Sequence, residues 1–381
     1  MRKAFKTSSK EVIASLLDQA DIVINGSRPW DIQVFDERFY DHILLFGSLG
    51  LGESYLGGWW ESESLDQFFY KLLRGRIDRN FKACLPLVII HLKSRILNRQ
   101  NLSRSGQVGV RHYDLGNELF EHMLDTSMSY SCGYWQNAGN LEQAQQAKLD
   151  MICRKLQLDR GMRLLDIGCG WGGLVEYAAR NYGVEAVGIT ISKEQVKLAR
   201  KRCGGLPIEI RQQDYREVRE TFDAIVSVGM FEHVGYKNYQ DFMEMVSRSL
   251  RKNGLFLLHT IASNKTTYNC DPWFDKYIFP NGMLPSARQL AEVTENCFVL
   301  EDWHNFGTHY DKTLLAWYRN FETGWPQLQD KYGGEFFRMW KYYLLSLAGG
   351  FRARHIQLWQ IVYSSCGLEK GYQSIRCLNC A

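Results

Sequence analysis

The chain of 381 residues carries 46 Lys and Arg against 42 Asp and Glu, a formal charge of +4, with 45% hydrophobic and 13% aromatic residues. This composition excludes a disordered polymer, a small disulfide-stapled scaffold and a strongly basic nucleic-acid coat protein, while leaving room for a local basic face. At roughly 150 residues per domain, two or three domains are expected.

The opening MRKAFKTSSKEVIASLL lacks the apolar core and small-residue cleavage site of a signal peptide. No run approaches the roughly 20 apolar residues that span a bilayer, so a cytoplasmic chain is expected. The 10 cysteines are scattered rather than framed as disulfides. Cys377 and Cys380 form one CxxC without the second pair that a zinc site needs, so they read as a reduced tail and no metal ligand set is expected.

In chain order, a helix is predicted over 11–21, followed by strand-like Ile22-Val23-Ile24 and a turn at Asn25-Gly26. Gly57-Gly58-Trp59-Trp60 reads as a tight corner under aromatic cover or, equally, as a surface anchor. A further helix is expected over 66–74, and residues 1–90 together read as a small α+β domain. Charge then shifts. Residues 71–104 hold nine Lys or Arg against the single acid Asp78, a net +8, whereas 1–60 carry six bases against eight acids. With the apolar Leu87–Leu92 inside it, this stretch suits either an anionic membrane surface or an interdomain helix with a solvated flank. From 144 onward helices and strands alternate: helix 144–156, strand 162–167, helix to 180, strand 186–190, helix 193–202, strands 208–212 and 224–227, helix 239–250 and strand 254–259. Such alternation predicts a parallel sheet covered on both faces, a Rossmann-like α/β core. Beyond 281, helices are expected over 287–296, 312–321 and 335–351, and a last strand over 356–363.

LDIGCGWGG at 165–173 sets glycines where the first strand turns into a helix, so that the backbone can approach a ligand. A pyrophosphate site wants bare amides facing negative charge. Asp166 beside Gly168, Gly170 and Gly172 would repel pyrophosphate but suits the ammonium of S-adenosylmethionine (SAM). The second strand ends without the acid that usually takes ribose hydroxyls; Thr190 and Gln195 are the neutral substitutes, and Asp214 after the third strand is placed for the adenine amino group. Glu232 in GMFEHVG (229–235) and His259 in LLHTI (257–261) end neighbouring strands on the side where open sheets bind ligands.

HYDLGN at 112–117, YSCGYW at 130–135, LDIGCGWGG at 165–173, GMFEHVG at 229–235, LLHTI at 257–261 and YIFPNG at 277–282 followed by Leu284-Pro285 together resemble the cyclopropane-fatty-acyl-phospholipid and mycolic-acid cyclopropane synthase family. GLGESYLGGWW at 50–60 resembles the N-terminal extension of the bacterial phospholipid enzymes. The resemblance implies a class I SAM-dependent methyltransferase core with a smaller N-terminal α+β domain: residues 1–90 as a membrane-associating domain, 91–110 as a basic linker and 111–381 as the catalytic domain. It implies transfer of the SAM methyl carbon as a methylene bridge across a cis double bond of an acyl chain in a phospholipid, with bound bicarbonate as general base. By the same resemblance, Cys132, Glu232, His259, Tyr318 and the backbone of Ile261 cradle that anion, and Tyr130 and Ser131 lie at the SAM end of the pocket. A homodimer on the anionic inner face of the cell membrane is implied, without nucleic acid. Because an alkene needs no deprotonation before it attacks, the site must instead offset cationic charge in an apolar channel. Cys132 read by itself is a small buried hydrophobe, and no covalent role is expected of it. Aromatic residues between 268 and 290 either line an acyl tunnel or pack the core. The rival reading is SAM-dependent methylation of an unsaturated lipid to a methyl-branched product.

Overall fold

The computed structural model describes residues 8–77 and 116–376. Most of the basic stretch, HYDL at 112–115 and the Cys377/Cys380 pair lie outside the described residues. Among the described residues no helix is long and apolar enough to cross a membrane.

The N-terminal region contains α1 (Ser9–Asp18), α2 (Arg38–Phe46), α3 (Ser48–Leu56) and α4 (Leu65–Arg74), with the two-residue strands β1 (Gln33–Val34) and β2 (Trp60–Glu61) paired antiparallel. A capping box starts α1: the Ser8 hydroxyl accepts from the Glu11 amide, and Glu11 reaches back to the Ser8 amide. The Gly57–Trp60 corner is a packed one. Trp60 is fully buried and its indole N–H is shared between the Leu51 carbonyl and the Ser54 hydroxyl. Trp59 stays half-buried, with the Arg38 guanidinium over its ring.

The second region begins with α5 (Asn117–Met123) and α6 (Leu141–Lys155), the latter capped by Asn140 accepting from the Gln143 amide. Then follow β3 (Arg163–Ile167), α7 (Gly173–Tyr182), β4 (Glu185–Thr190), α8 (Lys193–Arg202), β5 (Ile208–Gln212), β6 (Phe222–Val228), α9 (Tyr239–Ser249), β7 (Leu250–Ser263), α10 (Pro272–Tyr277), α11 (Ala287–Thr294), β8 (Val299–Asn305), α12 (Thr308–Arg352) and β9 (Ile356–Ser364). The seven-stranded sheet runs β5-β4-β3-β6-β7-β9-β8. β3 through β7 pair in parallel, as the alternation predicts, but β9 enters antiparallel between β7 and β8. Strand order reverses at β3, which opens a crevice at the carboxyl ends of the strands.

Besides the short helices α5 and α10, which the sequence reading did not place, and residues 22–24, which make only an isolated bridge at Ile24, three elements differ from the sequence reading. β8 was not expected: its burial shows no clean alternation, because it is an edge strand paired on one side only. The two helices expected around 312–321 and 335–351 extend toward each other as α12, broken only at Gly333 (φ 76°, ψ 164°). The third difference is the helical pair α2 and α3, in a segment that reads as mixed. Two glycines inside α3 weaken its local signal, yet tertiary packing demands both, since a Cβ on Gly50 would stand 2.4 Å from the His42 carbonyl oxygen. A Cβ on Gly52 would stand 2.2 Å from the indole of Trp273, itself fully buried in α10.

Gly52→Ala therefore has a decided sign. Alanine favours helix by up to about 1 kcal/mol, but it drives a methyl into an immobile ring, so a net loss of about 1–3 kcal/mol is expected, read from the denaturant midpoint. A single apolar cluster runs from Ile13 and Phe68 of the N-terminal region through Phe120, Trp317 and Phe351 of the second region. Arg352 joins the two parts, reaching Asp66 of α4 at 2.7 Å and Asp311 of α12 at 2.9 Å.

Candidate active site

A cavity opens where β3, β4, β5 and β6 end, roofed by residues 127–131 and walled by α6. Of the residues expected to hold SAM, Tyr130, Ser131, Asp166, Gly168, Gly170, Thr190, Gln195 and Asp214 line it. Gly172 stands just behind as the N-cap of α7, in the left-handed region at φ 84°. The requirement for glycine is clearest at Gly168, where φ is 86° and a Cβ would meet the Met230 side chain at 2.7 Å.

Asp166 is the pivot of this cavity. Its carboxyl is buried, its Oδ1 has no hydrogen-bond partner, and burial pushes it up to about 7 against the opposing pull of Lys148. An unsatisfied buried acceptor of this kind is costly unless a ligand completes it, and an α-ammonium group fits. At the end of β4 the missing acid is replaced by a neutral network. The Thr190 hydroxyl donates to Gln195 Oε1 at 2.7 Å and accepts from the Ser192 amide. Asp214 caps the following turn through the Arg216 amide. Tyr130 bonds hydroxyl to hydroxyl with Tyr343 at 2.7 Å, and its ring packs on Phe120 and Trp317.

Lys148 escaped the sequence reading. It lines the cavity fully buried, donates to the Ser131 hydroxyl at 3.0 Å, and is brought down to about 8 by burial. The signal was available in α6, where Leu141, Ala144, Gln145, Lys148, Leu149 and Ile152 form the buried stripe. A lysine within such a stripe is seldom tolerated without a charge to meet.

Beside this cavity stand Glu232 and His259. β6 and β7 pair so that Val228 faces His259, and the Gly229 amide donates to the His259 carbonyl. The next turn carries Glu232 inward, where its Oε1 accepts from the Ile261 amide at 2.7 Å. The Ile261 amide is thus committed to Glu232 here. The segment after YIFPNG holds the turn in place, since the Met283 amide donates to the Glu232 carbonyl at 2.8 Å. Glu232 Oε2 and His259 Nε2 are both buried without a hydrogen-bond partner. Burial raises the Glu232 carboxyl to about 7 and, with the nearby positive charges of Lys148 and Lys155, holds the His259 imidazole well below its ordinary value. A neutral imidazole and a carboxyl able to keep its proton near neutrality together offer donors to a small oxyanion.

Cys132 is fully buried, 3.7 Å from the Thr313 hydroxyl, with its thiol pushed far above the ordinary range by burial. It is a thiol and not a nucleophilic thiolate. Tyr318 is not brought to this group. Its hydroxyl donates to Glu322 at 2.8 Å at the surface of α12. The helical period explains why: five positions separate Tyr318 from Thr313, whereas Tyr310 and Trp317, three before and four after, share the face of Thr313. Tyr310 is buried there, stacked on Phe351.

The family described as mycolic acid cyclopropane synthetase matches residues 100–361. The cyclopropane-fatty-acyl-phospholipid synthase of Escherichia coli (strain K12) is 56% identical over 361 residues, 95% of this chain and 94% of that protein. A probable fatty acid methyltransferase of Pseudomonas putida is 38% identical over 66% of this chain and 67% of its own length. Among solved structures, mycolic acid cyclopropane synthase CmaA1 complexed with SAH and CTAB superposes with a TM-score of 0.64 at 31% identity, covering 68% of this chain and 98% of that one.

Proposed function

Since the chain belongs to the mycolic acid cyclopropane synthetase family and is a SAM-dependent methyltransferase of the cyclopropane fatty acid synthase type, we propose that it converts cis double bonds of unsaturated acyl chains in membrane phospholipids into cyclopropane rings. When bound, SAM supplies the methyl carbon and bicarbonate supplies the base that removes the proton at ring closure. The observation that carries this reading is the pair of unpartnered buried atoms, Glu232 Oε2 and His259 Nε2, next to the cavity of the glycine loop.

The residues divide the work by chemistry. Asp166 takes the ammonium of the zwitterion, the glycine loop keeps the approach open, and Thr190, Gln195 and Asp214 hold the nucleoside end. Tyr130 and Ser131 close the methionine end, with Ser131 oriented by Lys148. Glu232 and His259, together with Cys132, hold a compact anion whose charge offsets the cation that develops on the acyl chain. The backbone of Ile261 serves this cradle by aligning Glu232. Tyr310 lies on the buried face of α12 that meets Cys132, while Tyr318 would have to leave Glu322 to contribute. Water is kept out by the aromatic packing of Phe120, Tyr130, Trp317 and Trp340.

We place lipid recognition in the N-terminal region, residues 1–90, joined through the basic linker 91–110 to the catalytic region 111–381. The net +8 of residues 71–104 favours an anionic surface, which suits peripheral attachment to the inner face of the membrane, as a homodimer. A methyl-branched product is the second reading, favoured by the likeness to the Pseudomonas putida protein named as a probable fatty acid methyltransferase. Vesicles of a cis-monounsaturated phospholipid incubated with the protein, methyl-labelled SAM and bicarbonate decide between them. Gain of one CH2 with loss of the alkene, confirmed as a ring by NMR, is the expected result. A gain with the alkene retained, or a saturated branched chain, establishes the second reading, and no gain refutes both.

A further inference from the structure

We infer that Gln360 is a positioning residue for His259, fixing the ring so that the nitrogen facing the site, Nε2, carries the hydrogen. The register of the three strands sets this up. His259 of β7 pairs with Gln360 of β9, and Gln360 pairs on its other side with His304 of β8. Paired residues point to the same face of a sheet, so the three side chains stand in one row. Gln360 is completely buried, and its amide nitrogen lies 3.2 Å from His259 Nδ1.

A neutral imidazole has one N–H and one lone pair, and whatever bonds to Nδ1 decides which nitrogen has which. An amide N–H donating to Nδ1 puts the hydrogen on Nε2. That nitrogen is buried and unpartnered, as is the Glu232 Oε2 of the same site. A donor at this point attracts an oxyanion, whereas a lone pair would repel one. Were the amide turned over, its Oε1 would accept from Nδ1 and leave a lone pair aimed at the anion.

The row repeats the arrangement: Lys155 Nζ sits 3.1 Å from His304 Nδ1 and donates to it when charged. Burial together with Lys148, Lys155 and His304 keeps His259 neutral. What Gln360 controls is therefore the position of one hydrogen and not the net charge. The catalytic meaning of this arrangement rests on the proposed anion between Glu232 and His259; the hydrogen position itself does not.

The test uses the full-length protein labelled with 15N-histidine, with the His259 signals assigned by their loss in His259→Asn. Wild type is expected to show a protonated Nε2 and a bare Nδ1. Gln360→Glu, close to isosteric, presents only acceptors once ionised and, measured across the pH range where that carboxyl loses its proton, should reverse the pattern. Gln360→Met should leave the two forms mixed. Both variants should keep the SAM dissociation constant and lose about 10–100-fold in kcat. Hydrogen on Nδ1 in wild type overturns the inference. So does a Gln360→Glu variant that folds, as judged by its SAM affinity, and retains kcat. If turnover proves independent of bicarbonate, the proposed base fails, and the NMR pattern still decides the role of Gln360.

Discussion

His259→Ala and Glu232→Gln are each expected to lower kcat for ring formation by about 10²–10⁴-fold, the range for a positioned group that assists proton transfer or charge stabilisation. SAM affinity should stay within a factor of a few, because neither residue lines the cavity of the glycine loop. Each substitution removes a different half of the anion site. His259→Ala takes away the neutral donor and leaves a hole beside Phe306, whose ring lies 5.8 Å from the imidazole. Glu232→Gln preserves shape and an acceptor for the Ile261 amide, but its NH2 cannot give up a proton or carry charge. The measurement is single-turnover conversion of vesicle lipid at saturating SAM, with SAM binding measured separately by calorimetry. If either variant turns over within tenfold of wild type, the anion site is not where the chemistry is assisted.

Acidification from pH 8 to pH 5 is expected to weaken SAM binding by roughly tenfold for each pH unit below about 7. The sign follows from Asp166. Burial raises its carboxyl to about 7, so in the free protein it is protonated below that value. A bound ammonium favours the ionised carboxylate, so binding must expel the proton, and that becomes costlier as pH falls. Above about 7 the carboxylate is already ionised and the dependence should flatten. Lys148, brought down to about 8, keeps its charge across the acid limb and does not blur it. Calorimetry in buffers of different ionisation enthalpy should report close to one proton released per SAM bound at pH 6. Asp166→Asn should remove the pH dependence and weaken binding at pH 8 by about 10–100-fold, the worth of a charge-assisted hydrogen bond. Affinity unchanged between pH 5 and 8 would mean that Asp166 does not meet the ammonium.

The parallel part of the sheet and the glycine loop were legible because each rests on local spacing. The step from period 2 to period 3.6 marks strand and helix, and LDIGCGWGG sits where one becomes the other. The motifs GMFEHVG and LLHTI likewise singled out Glu232 and His259, which the pairing of Val228 with His259 brings together, although β7 runs on past His259 to Ser263 and does not end there. The side of α12 that faces Cys132 was harder to read. Tyr310 and Tyr318 are both aromatic positions on an amphipathic helix, and only the packing of Thr313 against Cys132 selects between their faces. Lys148 was present as an anomaly in a buried stripe, but its partner Ser131 lies 17 positions away across a loop.

The sequence by itself determined the fold class and the family and put forward the reagents of a candidate site, since these depend on residue types at short, fixed intervals. Tertiary structure alone decided how those reagents are protonated and aimed. The antiparallel entry of β9 sets Gln360 against His259, 101 positions away, and no local pattern encodes a cross-strand neighbour at that distance. Burial raises Asp166 and Glu232 toward neutrality and holds His259 uncharged. Desolvation is a property of everything packed around a group, which is why the chemistry of these three side chains becomes readable only once the chain has closed over them.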